Sequence, residues 1–398
     1  MHGKKLSTHQ LHVGRPIPFD TYDGEGKLLL RKGVVVNNQH QLDVLLERGL
    51  YADSGPEYPR SAETTDTDRV PGKSFGPVAK KISVFELTAD IQRQLERLLT
   101  SAEQICVSGA PEGASFAAQV RLLAQRVQYA FKLDSDAMLA TIQLQHEGRY
   151  GVRRQVHGAI LMELLMGLAG ANEAQRTIAL SAALTMNIAM LDLQDILYQQ
   201  KTPPDDSQRE QVRSHPVRGV EMLRERGVED ANWLLFVQQH HETIDGKGTP
   251  NGLKGAQICK AAQLLSLADR YGAMATGRAY RPPALPNVVL KQIFLDKDTS
   301  VEASLANLLV KSVGVYPPGS VVELANGDIG VVVKRTQNAS QPVVRCVMTH
   351  TKEVLEHPRK RLTSEPAYAV VRLLQASSLH FPLKPQLLWN EGVELVPT

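Results

Sequence analysis

Residues 233–255 read WLLFVQQHHETIDGKGTPNGLKG, and the two halves obey different rules. Trp233 to Gln239 is an apolar stretch at helical spacing. From Asp245 to Gly255 the glycines and Pro250 break any helix and predict a loop. The joint between them carries His240-His241-Glu242. Upstream, residues 207–227 (SQREQVRSHPVRGVEMLRERG) form a charged helical stretch holding His215-Pro216. Downstream, residues 264–283 (LLSLADRYGAMATGRAYRPP) place Asp269 at the end of an apolar helical run, with Arg278 and Arg281 just beyond.

Imidazole and carboxylate are natural ligands for divalent iron, manganese and zinc. Enzymes that handle phosphate esters use such ions to generate hydroxide and to clamp phosphate oxygens. The two arginines add forked donors suited to a phosphodiester. Each piece also has a plainer reading. A lone His-Pro is commonly structural, a His-His-Glu run can complement a helix C-terminus, and an Asp among apolar residues can cap a helix or pair with an Arg. Order and spacing together favour a metal site formed by His215, His240, His241 and Asp269.

Composition bounds the rest. The chain has 398 residues, 42% hydrophobic and 22% charged, enough for two or three domains with real cores. A formal net charge of +3 argues against a nucleic-acid partner. Three scattered cysteines, Cys106, Cys259 and Cys346, suit a reducing cytoplasm and a site without cysteine ligands. The basic N-terminus lacks the apolar run of a signal peptide. The apolar runs near residues 158–171 and 178–191 are shorter than a bilayer span and contain Glu163 or Asn187. The expectation is a cytoplasmic protein with no membrane partner.

Along the chain, residues 1–52 read as a small β-rich module, with strands around the Asp23-Gly24 turn and a short helix near 39–48. Residues 53–81 are rich in Pro, Gly, Ser and Thr and read as a linker. Residues 82–148 carry helical periodicity and read as a connector, able to pack within the chain or to form a homodimer. Helices continue through 149–313. Residues 314–352 turn β-rich again, with VVEL and IGVVVKR on either side of Asn326-Gly327-Asp328 and a third strand at 342–348. Residues 353–398 read as a tail. The fold class is mainly α: an all-helical bundle flanked by small β-rich modules.

The series His-Pro, HHExxDGxG-P-xGLxG, AD and RxYR resembles the HD-GYP family, the branch of HD phosphohydrolases that hydrolyses cyclic di-GMP. It covers His215-Pro216, His240–Leu253, Ala268-Asp269 and Arg278–Arg281, within about Tyr150–Val313. The resemblance implies a helical bundle with metal ligands projecting inward, and cyclic di-GMP as ligand at Lys247, Arg278 and Arg281.

Departures from the family pattern decide the functional expectation. The HD dipeptide belongs in a segment resembling LLHDIGK. This chain has LTMNIAM, residues 184–190, so Met186 and Asn187 replace the pair and Met190 replaces a phosphate-contacting lysine. The upstream ligand histidine aligns with Arg154, with His157 close by. Tyr150 falls where some relatives carry an acidic ligand, Thr249 stands at the tyrosine of the GYP signature, and Gly272 at a second aspartate. Neutral Asn187 cannot bridge two metals, and Met186 is a soft ligand. Arg154 adds a fixed positive charge, whose repulsion of a cation a few Å away costs on the order of several kcal/mol. No catalytic residues are therefore expected. At most one divalent metal, iron, manganese or zinc, is expected at His215, His240, His241 and Asp269. The resemblance implies a regulatory or interaction module in cyclic di-GMP-type signalling, with signalling proteins as partners. The alternatives are a cyclic di-GMP receptor without hydrolysis, or a phosphodiesterase with an unusual mononuclear site.

Overall fold

The computed structural model describes residues 81–101, 106–277, 279, 282–389 and 393–394, together with four short strands nearer the N-terminus. The chain divides into two compact units, residues 1–76 and 77–398. In the first, β1 (Lys4–Lys5), β2 (Thr21–Tyr22), β3 (Leu28–Leu30) and β4 (Tyr51–Ala52) form an antiparallel sheet in the order β1-β4-β2-β3. β2 and β3 are the hairpin flanking Asp23-Gly24, with Thr21 opposite Leu30. The expected helix near 39–48 and the linker 53–80 lie outside the described residues.

The second unit begins with β5 (Lys81–Ile82) and α1 (Val84–Thr100). Ser83 starts α1 with a reciprocal cap: its hydroxyl accepts from the Glu86 amide at 3.1 Å, and Glu86 accepts from the Ser83 amide at 2.8 Å. Next come α2 (Phe116–Leu133), α3 (Ser135–Leu144) and α4 (Tyr150–Leu168). α4 is buried on every side from Tyr150 to Met166, as expected of a helix at the centre of a bundle. Around it stand α5 (Glu173–Thr185), α6 (Leu191–Gln199), α7 (Asp206–Glu225), α8 (Ala231–Gln239), α9 (Lys260–Ala275), α10 (Pro286–Leu295) and α11 (Ala303–Val313). One apolar core runs from Val84 to Val313. Ile91, Leu95, Val120 and Leu123 of the expected connector are fully enclosed in it beside Ile160 and Leu165 of α4. The apolar faces of residues 82–148 thus pack within the chain. Among the described residues, only Glu173–Gln199 is long and apolar enough to cross a membrane, and 83% of its apolar window is buried inside the protein.

After the helices, β6 (Val321–Leu324), β7 (Ile329–Lys334) and β8 (Val343–Met348) follow the apolar runs and the Asn326–Asp328 turn. The sheet does not stop at residue 352. β9 (Val354–Leu362) and β10 (Val370–Leu374) extend it to five antiparallel strands in the order β10-β6-β7-β8-β9. Residues 354–362 and 370–374 are therefore sheet, where the sequence suggested a tail. β9 is an edge strand whose residues are mostly exposed. Its place is set by backbone pairing with β8, Val343 opposite Leu362 and Arg345 opposite Lys360. HPRKR gives no apolar alternation because this strand buries little. A short helix, α12 (Pro385–Leu388), and β11 (Val393–Glu394) follow, and β11 pairs antiparallel with β5, Val393 opposite Ile82.

Candidate metal centre and its cleft

Four elements converge on one end of the bundle. α7 is started by a reciprocal cap between Asp205 and Gln208 and brings His215 inward about three turns of charged surface later. Gly219, one turn beyond, packs close to α8: a Cβ there would be in ordinary contact with Val237 at 3.6 Å and with Ile188 at 3.8 Å. Trp233 of α8 is fully buried, and its indole N–H donates to the Thr185 hydroxyl at 2.8 Å. That bond fixes α8 against the end of α5, next to Met186-Asn187.

His215, His240 and His241 meet here, with one ligand nitrogen from each lying within 4.8 Å of the others. Their ring centroids are 4.2–5.2 Å apart. His215 Nδ1 is 2.6 Å from the Val212 carbonyl and His240 Nδ1 is 2.7 Å from the Val237 carbonyl. A carbonyl can only accept, so both Nδ1 atoms carry hydrogen. The two Nε2 atoms then face each other at 3.2 Å as lone pairs. Burial, and then the neighbouring imidazole, pushes His215 and His240 down to about 3 and His241 to about 4. At neutral pH all three are uncharged. Two lone pairs pointed at each other suit a cation between them, and backbone carbonyls orienting the far ring nitrogens are the usual support of a metal-binding imidazole. The three histidines fit a divalent ion.

Asp269, on α9, stands beside this trio but outside the 4.8 Å group. Its carboxylate is bonded by the Arg154 guanidinium of α4, and the same Nη2 donates to the Asp269 carbonyl at 2.9 Å. Burial alone would raise the Asp269 carboxyl; Arg154, with the nearby imidazoles, instead holds it well below the usual carboxylate range. Of the two residues near the upstream ligand position, Arg154 faces Asp269, whereas His157 is fully buried beside Arg153 and His146. Met186 and Asn187 are fully enclosed. The Met186 methyl lies 3.2 Å from where a Gly158 Cβ would be, and neither side-chain atom of Asn187 has a hydrogen-bond partner among the described residues.

Beside His241 and Asp269 opens a cleft of about 540 Å³ lined also by Arg154, Met190, Gln194, Arg209, Arg213, Lys247 and Thr249, among others. Lys247 sits on its rim, 3.7 Å from Asp245. Arg278 and Arg281 lie outside the described residues. Arg209 and Arg213 were not singled out from sequence. Their signal was available: with Val212 they occupy one face of the helix that carries His215, at i, i+3 and i+4 spacing. Glu242 ends the His-His-Glu run. Its enclosed carboxylate accepts from the amides of Asn251 at 2.6 Å and Leu253 at 2.9 Å, tying down the glycine-rich loop.

The helical bundle and its inward histidines define an HD domain, and residues 136–301 match that family. The chain is also similar to proteins named as cyclic di-GMP phosphodiesterases. It is 26% identical over 203 residues to the cyclic di-GMP phosphodiesterase PA4108 of Pseudomonas aeruginosa, covering 50% of this chain and 48% of that protein. It is 21% identical over 218 residues to the cyclic di-GMP phosphodiesterase PdeB of Borreliella burgdorferi, covering 54% and 57%. It is 24% identical over 156 residues to the 3'3'-cGAMP-specific phosphodiesterase 2 of Vibrio cholerae, covering 38% and 30%. The chain thus spans about half the length, or less, of these relatives. Among solved structures it is similar to Bd1817, an HDG"Y"P protein from Bdellovibrio bacteriovorus, at 16% identity and a TM-score of 0.47, over 77% of this chain and 98% of that one.

Proposed function

We propose that this chain is a non-catalytic HD-GYP module that binds a cyclic dinucleotide such as cyclic di-GMP and passes that state to a signalling partner in the cytoplasm. The reading is carried by the Met186-Asn187 turn at the end of α5. Where the resemblance calls for a histidine and a bridging aspartate, the chain offers a thioether and a neutral amide, both enclosed. His215, His240 and His241 would hold one divalent ion of iron, manganese or zinc. Such an ion, when bound, supplies Lewis acidity toward a phosphodiester. The chain's own residues act on the ligand by charge. Arg209, Arg213 and Lys247 line the cleft and are suited to phosphate oxygens, while Leu197, Pro204 and Ala273 give it apolar walls. The names of the relatives support cyclic dinucleotides as the ligand class.

The test pairs two assays on purified full chain loaded with manganese or iron. Cyclic di-GMP incubated with it should yield no linear or mononucleotide product above a His240→Ala control. Calorimetry should find binding near micromolar, weakened about tenfold by Arg213→Ala, the scale of one charged hydrogen bond. Turnover abolished by His240→Ala would establish the mononuclear phosphodiesterase instead.

A further inference from the structure

We propose that Arg154 is a built-in cation that takes the place of a second metal ion and removes Asp269 from the ligand set, so that the site binds a single divalent ion through His215, His240 and His241 alone. The inference deepens the reading above but does not depend on it, since one ion could be bound with or without turnover.

Three observations converge on it. Arg154 is 4% exposed and projects from the most enclosed helix of the bundle. Among the described residues, the carboxylate at ion-pair distance from it is Asp269 alone. Nη2 of Arg154 holds both the carboxylate and the backbone carbonyl of Asp269, a two-point grip that fixes the carboxylate toward α4. The guanidinium also lies 5.9 Å from the centroid of the Tyr150 ring, which itself stacks on Tyr198 at 4.3 Å. The cation is thus seated between a carboxylate and an aromatic face. Meanwhile the histidine trio, with its opposed Nε2 lone pairs, offers a cation three ligand nitrogens that cluster without Asp269.

The alternative is that Asp269 turns to a metal shared with the histidines. That movement would strand a buried guanidinium next to a divalent cation, with its counter-ion gone. Burial makes an unpaired charge of this kind strongly unfavourable. A lysine or histidine at this position could lose its proton to make room; an arginine cannot. Arg154 therefore supplies a positive charge that cannot be exchanged or titrated away.

The experiment counts ions. Metal-free full chain is titrated with Co²⁺, following the visible absorption of the bound ion and the heat released, and with Mn²⁺ and Zn²⁺ followed by elemental analysis. Wild type should bind one ion per chain. Arg154→Met/Asp269→Asn replaces the ion pair with neutral groups of similar size, a change that buried pairs tolerate. It should bind the same single ion with affinity within about threefold of wild type, because no ligand has been lost. Arg154→Met alone frees the carboxylate and should tighten Co²⁺ by about tenfold or more, with a changed spectrum, on the scale of ligand-supporting changes. Two ions in wild type, or a loss of about 100-fold in the double variant, would overturn the proposal. Should Arg154→Met fail to fold by circular dichroism, the double variant and the wild-type count still decide. Hydrolysis by a one-ion wild type would remove the non-catalytic reading and leave this one standing.

Discussion

Asn187 carries an amide into a fully enclosed site at the turn after α5, where neither its Oδ1 nor its Nδ2 finds a partner among the described residues. Only its backbone is engaged, the amide donating to Gln155 Oε1 at 3.4 Å. Burying an unpaired amide costs about 1–3 kcal/mol. Asn187→Leu should therefore leave stability unchanged or raise it by about 1 kcal/mol, whereas Asn187→Asp should lower it by at least about 2 kcal/mol for an enclosed, unpaired carboxylate. Urea denaturation of metal-free protein at neutral pH checks both. A marked loss in the leucine variant would mean that the amide has a role in the fold. At this scale the sequence was informative about kind and silent about pairing. His215, His240 and His241 could be picked out because their spacing on α7 and α8 is local. The Arg154–Asp269 pair spans 115 residues, and no periodicity along the chain announces a contact across the bundle.

The glycine-rich loop after α8 shows how an element can be held by backbone alone. Gly248 packs so closely that a Cβ would lie 2.2 Å from the Thr243 amide nitrogen and 2.5 Å from Glu242 Cα. Gly246 adopts φ +78, which a side chain disfavours. The Thr249 amide returns to the His241 carbonyl at 3.0 Å, so the loop is tied to the histidine trio. Gly248→Ala should displace the loop and weaken cyclic di-GMP binding by about tenfold, and Glu242→Gln should cost about 1–2 kcal/mol by weakening two charge-assisted bonds. Calorimetry and thermal melts separate the two effects; wild-type binding by Gly248→Ala would place the ligand elsewhere. The loop was legible from its glycines and proline, and β6 to β8 from their apolar runs. β9 and β10 were not, because an edge strand that buries little has no reason to alternate.

Directed polar contacts join the five-stranded sheet to the helices, beside apolar packing of Leu144 and Leu285 against its strands. Arg335, just beyond β7, donates to Asp136 Oδ1 at 2.5 Å, to the Ser312 carbonyl at 2.7 Å and to the Ser135 hydroxyl at 3.1 Å. It thereby links the start of α3, the end of α11 and the sheet. Arg335→Ala should cost about 2–3 kcal/mol, summing partly buried charged hydrogen bonds. Calorimetric melting should still show one transition, at a temperature lower by several degrees. A second, separate transition would mean that the sheet folds independently of the helices. The mainly helical class could be read from the sequence, whereas the extent of the sheet could not, since it depends on which distant backbone finds which.

The pairing of β5 with β11 gives the unit of residues 77–398 a geometric property of its own. Its first and last strands lie side by side, so the polypeptide enters and leaves at one place, like a loop of thread drawn through a single eyelet. Tension applied between Lys81 and Glu394 would meet that two-residue pairing before it reached the histidine-lined bundle.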